Sequence, residues 1–287
     1  MEQFKFIRPT KEYEQEARSF VYEMKAANSE FDGDAGLHKQ IDHYDVWLLS
    51  IQNSLHSLPT EVRVPAETRF LVRLSDNKLV GIYNIRLVLN ENLKNYGQHI
   101  GYCVRPSERR KGYNKIGLYC ALKVCLERGM KEVGLDCDSK NPGSYKTMEA
   151  LGGERVKIAH NIQGIETMYY YSIKPVQAII KYHEIYEPLL FREPAPCGAV
   201  CNECEKYLAT CRGCTTIEGK VFWTKYTNQA VCPFYDCCVN KNGLEHCGKC
   251  AKFPCHYFKS GDPNKSKEEN DALLQLQIKN LSADKKN

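Results

Sequence analysis

Eleven cysteines fall within 59 residues, from Cys197 to Cys255, in a chain that has only four others: Cys103, Cys120, Cys125 and Cys137. The order is Cys197-x-x-x-Cys201-x-x-Cys204, Cys211-x-x-Cys214, Cys232, the adjacent Cys237 and Cys238, Cys247-x-x-Cys250 and Cys255. So short a segment cannot bury enough apolar surface to fold by that means alone. Two cysteines two residues apart can turn both sulfurs toward one ion, which is half of a tetrahedral site. In a reducing cytosol, dense cysteines at short spacing read as metal ligands before disulfides. The candidate ligands are Cys197, Cys201, Cys204, Cys211, Cys214, Cys232, Cys237, Cys247, Cys250 and Cys255. The thiol count allows two four-sulfur sites. Zinc is the first choice, because it favours four thiolates and needs no assembly machinery. An iron–sulfur cluster is the alternative. Adjacent residues rarely serve one ion, so either Cys237 or Cys238 is spare, and His246 and His256 are possible substitutes.

The first 174 residues alternate helical and extended patterns. Strands are expected at Phe4–Ile7, Arg69–Leu74, Leu79–Leu89, Tyr96–Val104 and Glu132–Cys137, with a closing hairpin of 155–160 and 166–173 around Gly164. Helices are expected over Lys11–Ser29, over Asp42–Leu58 with Val46, Leu49 and Leu55 inward, over Tyr113–Arg128 and over Ser144–Leu151. Tyr113–Arg128 is apolar around most of its circumference, so it should be buried against a sheet. Residues 175–196 hold four prolines yet are too apolar for a free tether, which predicts a linker with a short helix between domains. Residues 197–258 make the cysteine-rich domain. Residues 259–287 make a charged tail with a helix over Lys265–Asn280 and a frayed end.

Residues 98–119 carry the main functional signal. An apolar run, His99 to Val104, enters a basic turn with Arg109, Arg110, Lys111 and Gly112, and a long apolar helix follows at once. Helix-start amides lack intrahelical partners, and the helix dipole places partial positive charge there. A strand, a basic glycine turn and a helix N-terminus together make a cradle for a phosphate or pyrophosphate.

Arg109-Arg110-Lys111-Gly112-Tyr113-Asn114 resembles the acyl-CoA loop of the GNAT acetyltransferase superfamily, R/Q-x-x-G-x-G/A, with Asn114 in place of the last small residue. Asn141, Ser144 and Gly152-Gly153 match that superfamily's later N-x-x-S…GG element. The resemblance covers residues 1–174. It implies a mixed α/β (α+β) fold, with a central mixed sheet flanked by helices, ahead of a small metal-stabilised domain. It also implies acetyl-CoA as cosubstrate and direct attack by an amine acceptor, a small molecule or a protein. The acyl carbonyl would meet the backbone near Cys103 and Val104. The loop from Arg109 to Asn114 would hold the diphosphate, with Asn141 and Ser144 on the cofactor. The tyrosine acid that many members place seven residues after the matched Asn is Met148 here. His99 is the candidate base, having a suitable intrinsic pKa. Glu91, Asp136 and Asp138 are others. The competing reading is a non-catalytic scaffold or a metal- and redox-sensing protein on the same fold.

The cysteine-rich segment resembles a family of small domains of uncharacterised activity, through CGxxCxxC…CxGC…HCGxCxxFPC. That resemblance implies metal binding and leaves room for a protein partner. From residue 197 onward, 13 Lys and Arg face 10 Asp and Glu, a net +3; eight thiolates and two divalent ions carry it to −1. A nucleic-acid role is therefore disfavoured. There is no run of 18 apolar residues, which argues against a membrane span. The N-terminus lacks an apolar core of signal-peptide length, so the cytoplasm is the expected compartment.

Overall fold

A computed structural model describes residues 2–160, 167–191, 194–201, 204, 206, 207, 210–259 and 265–282. The chain divides into two units, Met1–Phe191 and Arg192–Asn287. The turn around Gly164 and the terminal residues 283–287, both addressed by the sequence reading, lie outside the described residues.

The first unit opens with β1 (Phe4–Ile7) and α1 (Glu14–Ala26), then α2 (Leu37–Gln40) and α3 (Tyr44–Leu55). Strands β2 (Ala66–Arg73) and β3 (Lys78–Arg86) follow, with α4 (Glu91–Asn95) leading into β4 (Ile100–Val104). The long helix α5 (Tyr113–Glu127) precedes β5 (Val133–Asp138), α6 (Pro142–Ala150), β6 (Glu154–His160), β7 (Thr167–Ile173) and α7 (Pro175–Tyr186). The mixed α/β order expected from the sequence is present. The sheet is divided, however, into four strands in the order β1-β2-β3-β4 and three in the order β5-β7-β6. Every pairing within them is antiparallel.

The division falls at β4 and β5. His99 donates its amide to the Gly134 carbonyl at 2.9 Å, and the Gly134 amide donates to His99 Nδ1 at 2.9 Å. Beyond that joint β4 ends its sheet. Strand β4 starts at Ile100 rather than Tyr96 because Asn90 caps α4 through the Leu93 amide, and Gly97 and Gln98 then turn through positive φ.

One core lies between the sheets and α5, with Leu118, Tyr119, Ala121, Leu122 and Cys125 fully or almost fully buried. This all-round burial is what the apolar circumference of α5 predicted. A second core joins α1 and α3 to the other face of β2 and β3. The inward face of α3 differs from the expected one. Tyr44, Trp47 and Ile51 are buried, whereas Val46 is 59% and Leu49 57% exposed. Positions 44, 47 and 51 form one stripe at helical spacing, and the large aromatic pair outcompetes the smaller aliphatics for the core.

Helix α7, expected between the domains, belongs to the first unit. Ala178 and Ile179 enter its main core, Tyr186 packs on Tyr119 at 5.2 Å, and Glu187 pairs with Lys123 at 2.7 Å.

Two buried carboxylates tie the first unit together electrostatically. Glu67, 2% exposed, accepts from Arg69 Nε at 2.8 Å, Arg8 Nε at 3.1 Å and Arg128 Nη2 at 2.5 Å. Burial alone would raise its carboxyl, but Arg69, Arg8 and Arg128 outweigh that and hold it well below the ordinary value. Glu108, also buried, accepts from Lys111 at 2.9 Å, Arg73 at 2.7 Å and Lys78 at 3.0 Å. Burial raises its carboxyl as well, yet those three cations hold it at about 2. Both folded values lie below the ordinary 4.5, so their stabilisation is complete above that pH and is lost as the pH falls toward the folded values. Urea midpoints should therefore drop steeply between about pH 5 and about pH 3. A level midpoint across that range would contradict the depressed values.

The second unit has little regular structure. A single turn α8 (Pro233–Tyr235) runs into a π-helix, Asp236–Lys241, and the last element among the described residues is α9 (Lys267–Ser282). The tail helix packs inside this unit: Leu281 is fully buried, and Asn280 Nδ2 donates to the Gly198 carbonyl at 2.9 Å.

Candidate active site and cysteine clusters

The basic turn is anchored before it begins. Arg105, 2% exposed, donates to the Leu79 carbonyl at 2.7 Å and to Glu16 and Glu23 of α1 at 3.0 and 3.2 Å. The chain then passes through a short turn and reaches Gly112, the residue before α5, at φ +84°. A Cβ there would meet nothing within 4 Å. Among the described residues, no acceptor takes the amide protons of Arg110, Lys111, Gly112, Tyr113 or Asn114. Five amides at the N-terminus of a 15-residue helix thus border an open niche.

The three expected cations divide. Lys111 pairs with Glu108, and Arg109 folds back to donate to the Val104 carbonyl at 3.0 Å. Arg110, at φ +65°, is exposed at the niche. The attraction for an anion therefore comes from the amides and one guanidinium rather than from three free side chains.

Asn114, the departure from the loop pattern, has a packing role. Its Oδ1 accepts from the hydroxyl of fully buried Tyr83 at 3.1 Å. Gly117, one turn on, lies so close that a Cβ would fall 1.9 Å from that same hydroxyl. The small residue has moved three positions along, to where α5 crosses β3.

Arg105 donates its amide to the Val80 carbonyl at 3.0 Å, on the β3 side. Strict alternation along β4 then turns the amides of Tyr102 and Val104 to its open edge. The Tyr102 hydroxyl lies 2.7 Å from Ser144 Oγ, so this edge is bridged to the start of α6. Asn141 caps α6 by accepting the Ser144 amide at 3.1 Å. The two residues matched by resemblance, Asn141 and Ser144, thus sit beside β4. Met148 is buried in the core. Cys103 is 6% exposed and turned into the α1–α3 core, and burial pushes its thiol well up.

His99 does not suit the role of base. Its Nδ1 accepts the Gly134 amide, so the neutral ring carries its proton on Nε2. Burial pulls its pKa down, which keeps the ring neutral. His99 is the joint between the sheets.

A pair of carboxyls that one sequence could not bring together lies on the other side of this joint. Asp136 of β5 accepts the Gly97 amide at 2.8 Å, and burial raises its carboxyl. Asp32 comes from the loop after α1 and is itself exposed; the protein around its carboxyl, then the charge of Asp136, raises it. The Arg86 guanidinium, which donates to the Gln98 carbonyl at 2.9 Å, opposes both shifts. The loop is held by a backbone contact, since a Cβ on Gly33 would lie 2.1 Å from the Gly101 carbonyl oxygen of β4. In the sequence, Asp32-Gly33-Asp34 reads only as the end of a helix. Glu91 is exposed on α4, and Asp138 accepts the Lys140 amide at 2.8 Å.

In the second unit none of the eleven cysteines is in a disulfide. Cys197, Cys201, Cys214 and Cys232 share one small core with Trp223 and Tyr235. Cys238, Cys247 and Cys255 share another with Phe253, Phe258 and Leu281. Cys204 is exposed, and Cys211 is half-buried with its charge acting on Cys214 of the first core. The buried member of the adjacent pair is Cys238, 3% exposed, and not Cys237. Among the described residues, no three His, Cys, Asp or Glu side chains are placed to hold a metal ion. Among the same residues, no helix is long and apolar enough to cross a membrane.

Comparison with known proteins follows the same division. The model of the acetyltransferase (GNAT) family matches residues 28–152, and that of a family described as protein of unknown function (DUF3795) matches residues 193–260. No curated protein matches the chain. Similar solved structures include the ribosomal-protein-S5-alanine acetyltransferase of Vibrio fischeri, at 14% identity, 60% of this chain, 92% of that one and a TM-score of 0.42. Mutant forms of the spermidine/spermine N-acetyltransferase SpeG of Vibrio cholerae match at 11% identity, 62% and 98% coverage and a TM-score of 0.44. A Salmonella typhimurium protein solved with acetyl-CoA as its cofactor matches at 12% identity, 60% and 94% coverage and a TM-score of 0.42. Residues 28–152 are a domain of the acetyltransferase (GNAT) family, and the cysteine-rich region after it carries the DUF3795 family of unknown function.

Proposed function

We propose that this protein moves an acetyl group from acetyl-CoA to an amine by direct attack. The observation that carries this reading is the open niche at Gly112, bordered by five unpartnered amides at the start of α5, in a domain of the GNAT family. The amides of Arg110 to Asn114 and the Arg110 guanidinium would hold the diphosphate. When bound, acetyl-CoA supplies an activated thioester. The Val104 amide, on the open edge of β4, is placed to donate to an acyl oxygen, with Tyr102, Ser144 and Asn141 bordering the same edge. A buried, raised thiol makes Cys103 a poor nucleophile, so no covalent step through it is needed. Asp136, with Asp32 beside it, replaces His99 as acceptor of the ammonium proton. A carboxyl raised by burial lies nearer the working pH of a general base than an ordinary one. The acceptor is an amine on a small molecule or a protein.

The second unit is read as a metal-binding module that holds zinc, with an iron–sulfur cluster as the alternative. The close cysteine spacing supports this, as do the seven buried or half-buried thiols that sort into two small cores, four in one and three in the other. Cysteines this dense suit a reducing compartment, and the proposed location is the cytoplasm.

Thermal shift tests the acyl-CoA reading. Acetyl-CoA at 100 times its Kd should stabilise the protein by about 2.7 kcal/mol. Gly112→Asp should abolish the shift and keep the fold, because a side chain at 112 meets no neighbour and Asp tolerates positive φ. An unaltered response in that variant would place the diphosphate elsewhere.

A further inference from the structure

In acetyl transfer Asp136 would serve the amine and the Val104 amide the acyl oxygen, but breaking a thioester also leaves negative charge on sulfur. A donor lowers that barrier only if it stands in place before the charge develops. Tyr102 is on the same strand, two residues before Val104. Side chains alternate along a strand, so Tyr102 leaves β4 on the face that carries Ile100 into the main core. Its ring is partly buried there, 5.8 Å from the ring of Tyr83.

The Tyr102 hydroxyl is held between the starts of two helices. Ser144 Oγ, in the first turn of α6, lies 2.7 Å from it. The Asn114 side chain, in the first turn of α5, hydrogen-bonds it as well. Asn114 Oδ1 accepts from the Tyr83 hydroxyl at 3.1 Å, so its Nδ2 is the atom that donates to Tyr102. The phenol thus accepts from Asn114 and keeps its own proton to give. Ser144 can release that proton to another acceptor, because its hydroxyl turns either way. Both helix starts add partial positive charge, which favours an anion here over a neutral sulfur. Burial raises the Tyr102 hydroxyl, so it stays protonated across the working range. Met148, buried on α6, is a thioether with no proton to donate.

We infer that the Tyr102 hydroxyl donates the hydrogen bond that stabilises the departing sulfur of CoA. This rests on the acetyl-transfer reading above and adds the residue that serves the leaving group. The amine nitrogen attacks the acyl carbon, the C–S bond breaks, and its electron pair goes to sulfur. The nitrogen loses two protons in all, one to Asp136 and one, by way of water, to the thiolate. The phenol keeps its own proton throughout, since even an unperturbed tyrosine holds it more tightly than a thiol does.

The test is calorimetry on the full chain with CoA and with desulfo-CoA, in which hydrogen replaces the thiol. Titrations run from about pH 7 to about pH 10, across the ordinary thiol value of about 8.5. Relative to desulfo-CoA, the wild type should bind CoA about ten- to a hundredfold more tightly once the thiol ionises. Tyr102→Phe should remove most of that gain, lower kcat about a hundredfold and leave the acetyl-CoA thermal shift in place. A merely structural role would weaken CoA, desulfo-CoA and acetyl-CoA alike. Ser144→Ala, which leaves the phenol, should keep the gain, and its loss there would move the role to Ser144. That arm decides even if Tyr102→Phe does not fold. A wild type that does not respond to acetyl-CoA would sink the acetyl-transfer reading and this inference together. A wild type that binds acetyl-CoA but shows no gain for CoA, or a Phe variant that keeps the gain, would sink the role of Tyr102 alone.

Discussion

Asp136→Asn should lower kcat about a hundred- to ten-thousand-fold while leaving the acetyl-CoA thermal shift intact. The substitution is chosen because Asn keeps an oxygen to accept the Gly97 amide, so the turn before β4 stays in place. What it removes is the basic lone pair on β5 beside the turn that leads into β4. Burial raises the Asp136 carboxyl above its ordinary 3.8, so wild-type kcat should fall as the pH drops through that raised value. The variant should lose this acidic limb. A purely structural role would weaken kcat at every pH alike, and a variant with wild-type kcat would remove Asp136 from the mechanism. His99→Asn makes a useful contrast. It should destabilise the sheet junction, where ring and backbone both bond to Gly134, without erasing the limb.

Glu67→Gln should cost about 3–5 kcal/mol of folding stability, because it leaves buried positive charge uncompensated. Three guanidinium groups converge on this one carboxylate from β2, the residue that caps the end of α5 and the segment after β1. Arg69, with a side chain 9% exposed, has the least access to water and should dominate the penalty. Arg8 and Arg128, at 30% and 20%, are partly screened. Urea unfolding at neutral pH measures the loss. Pairing Glu67→Gln with Arg69→Met should recover part of it, since a buried ion pair replaced by an apolar side chain is often close to neutral. A loss below about 1 kcal/mol would mean that the cluster behaves like an exposed pair.

The comparison between sequence and structure is instructive residue by residue. The extent of α5, its burial and the glycine turn that starts it were all legible, because each depends on a few consecutive residues. So was the end of that helix at Gly129, which takes φ +79°. The role of Asn114 was not legible, because its partner Tyr83 lies 31 positions earlier on β3. The same holds for Asp32 and Asp136, which come from different elements and meet only because Gly33 lets its loop lie against Gly101. The face of α3 was misread for a related reason. Val46 and Leu49 are apolar, but Trp47 and Phe70 stack at 5.9 Å, and the core at that point is set by β2.

The chain by itself determined its helices and strands, the basic glycine turn that starts α5, and the crowding of thiols beyond residue 196. These follow from periodicity, capping and spacing, which act over a few bonds. Which thiols share a core, which carboxyls become neighbours and which cations remain for a ligand were decided only by tertiary structure. Burial and Coulomb interactions depend on distance in space, and a linear pattern does not encode which distant residues become neighbours.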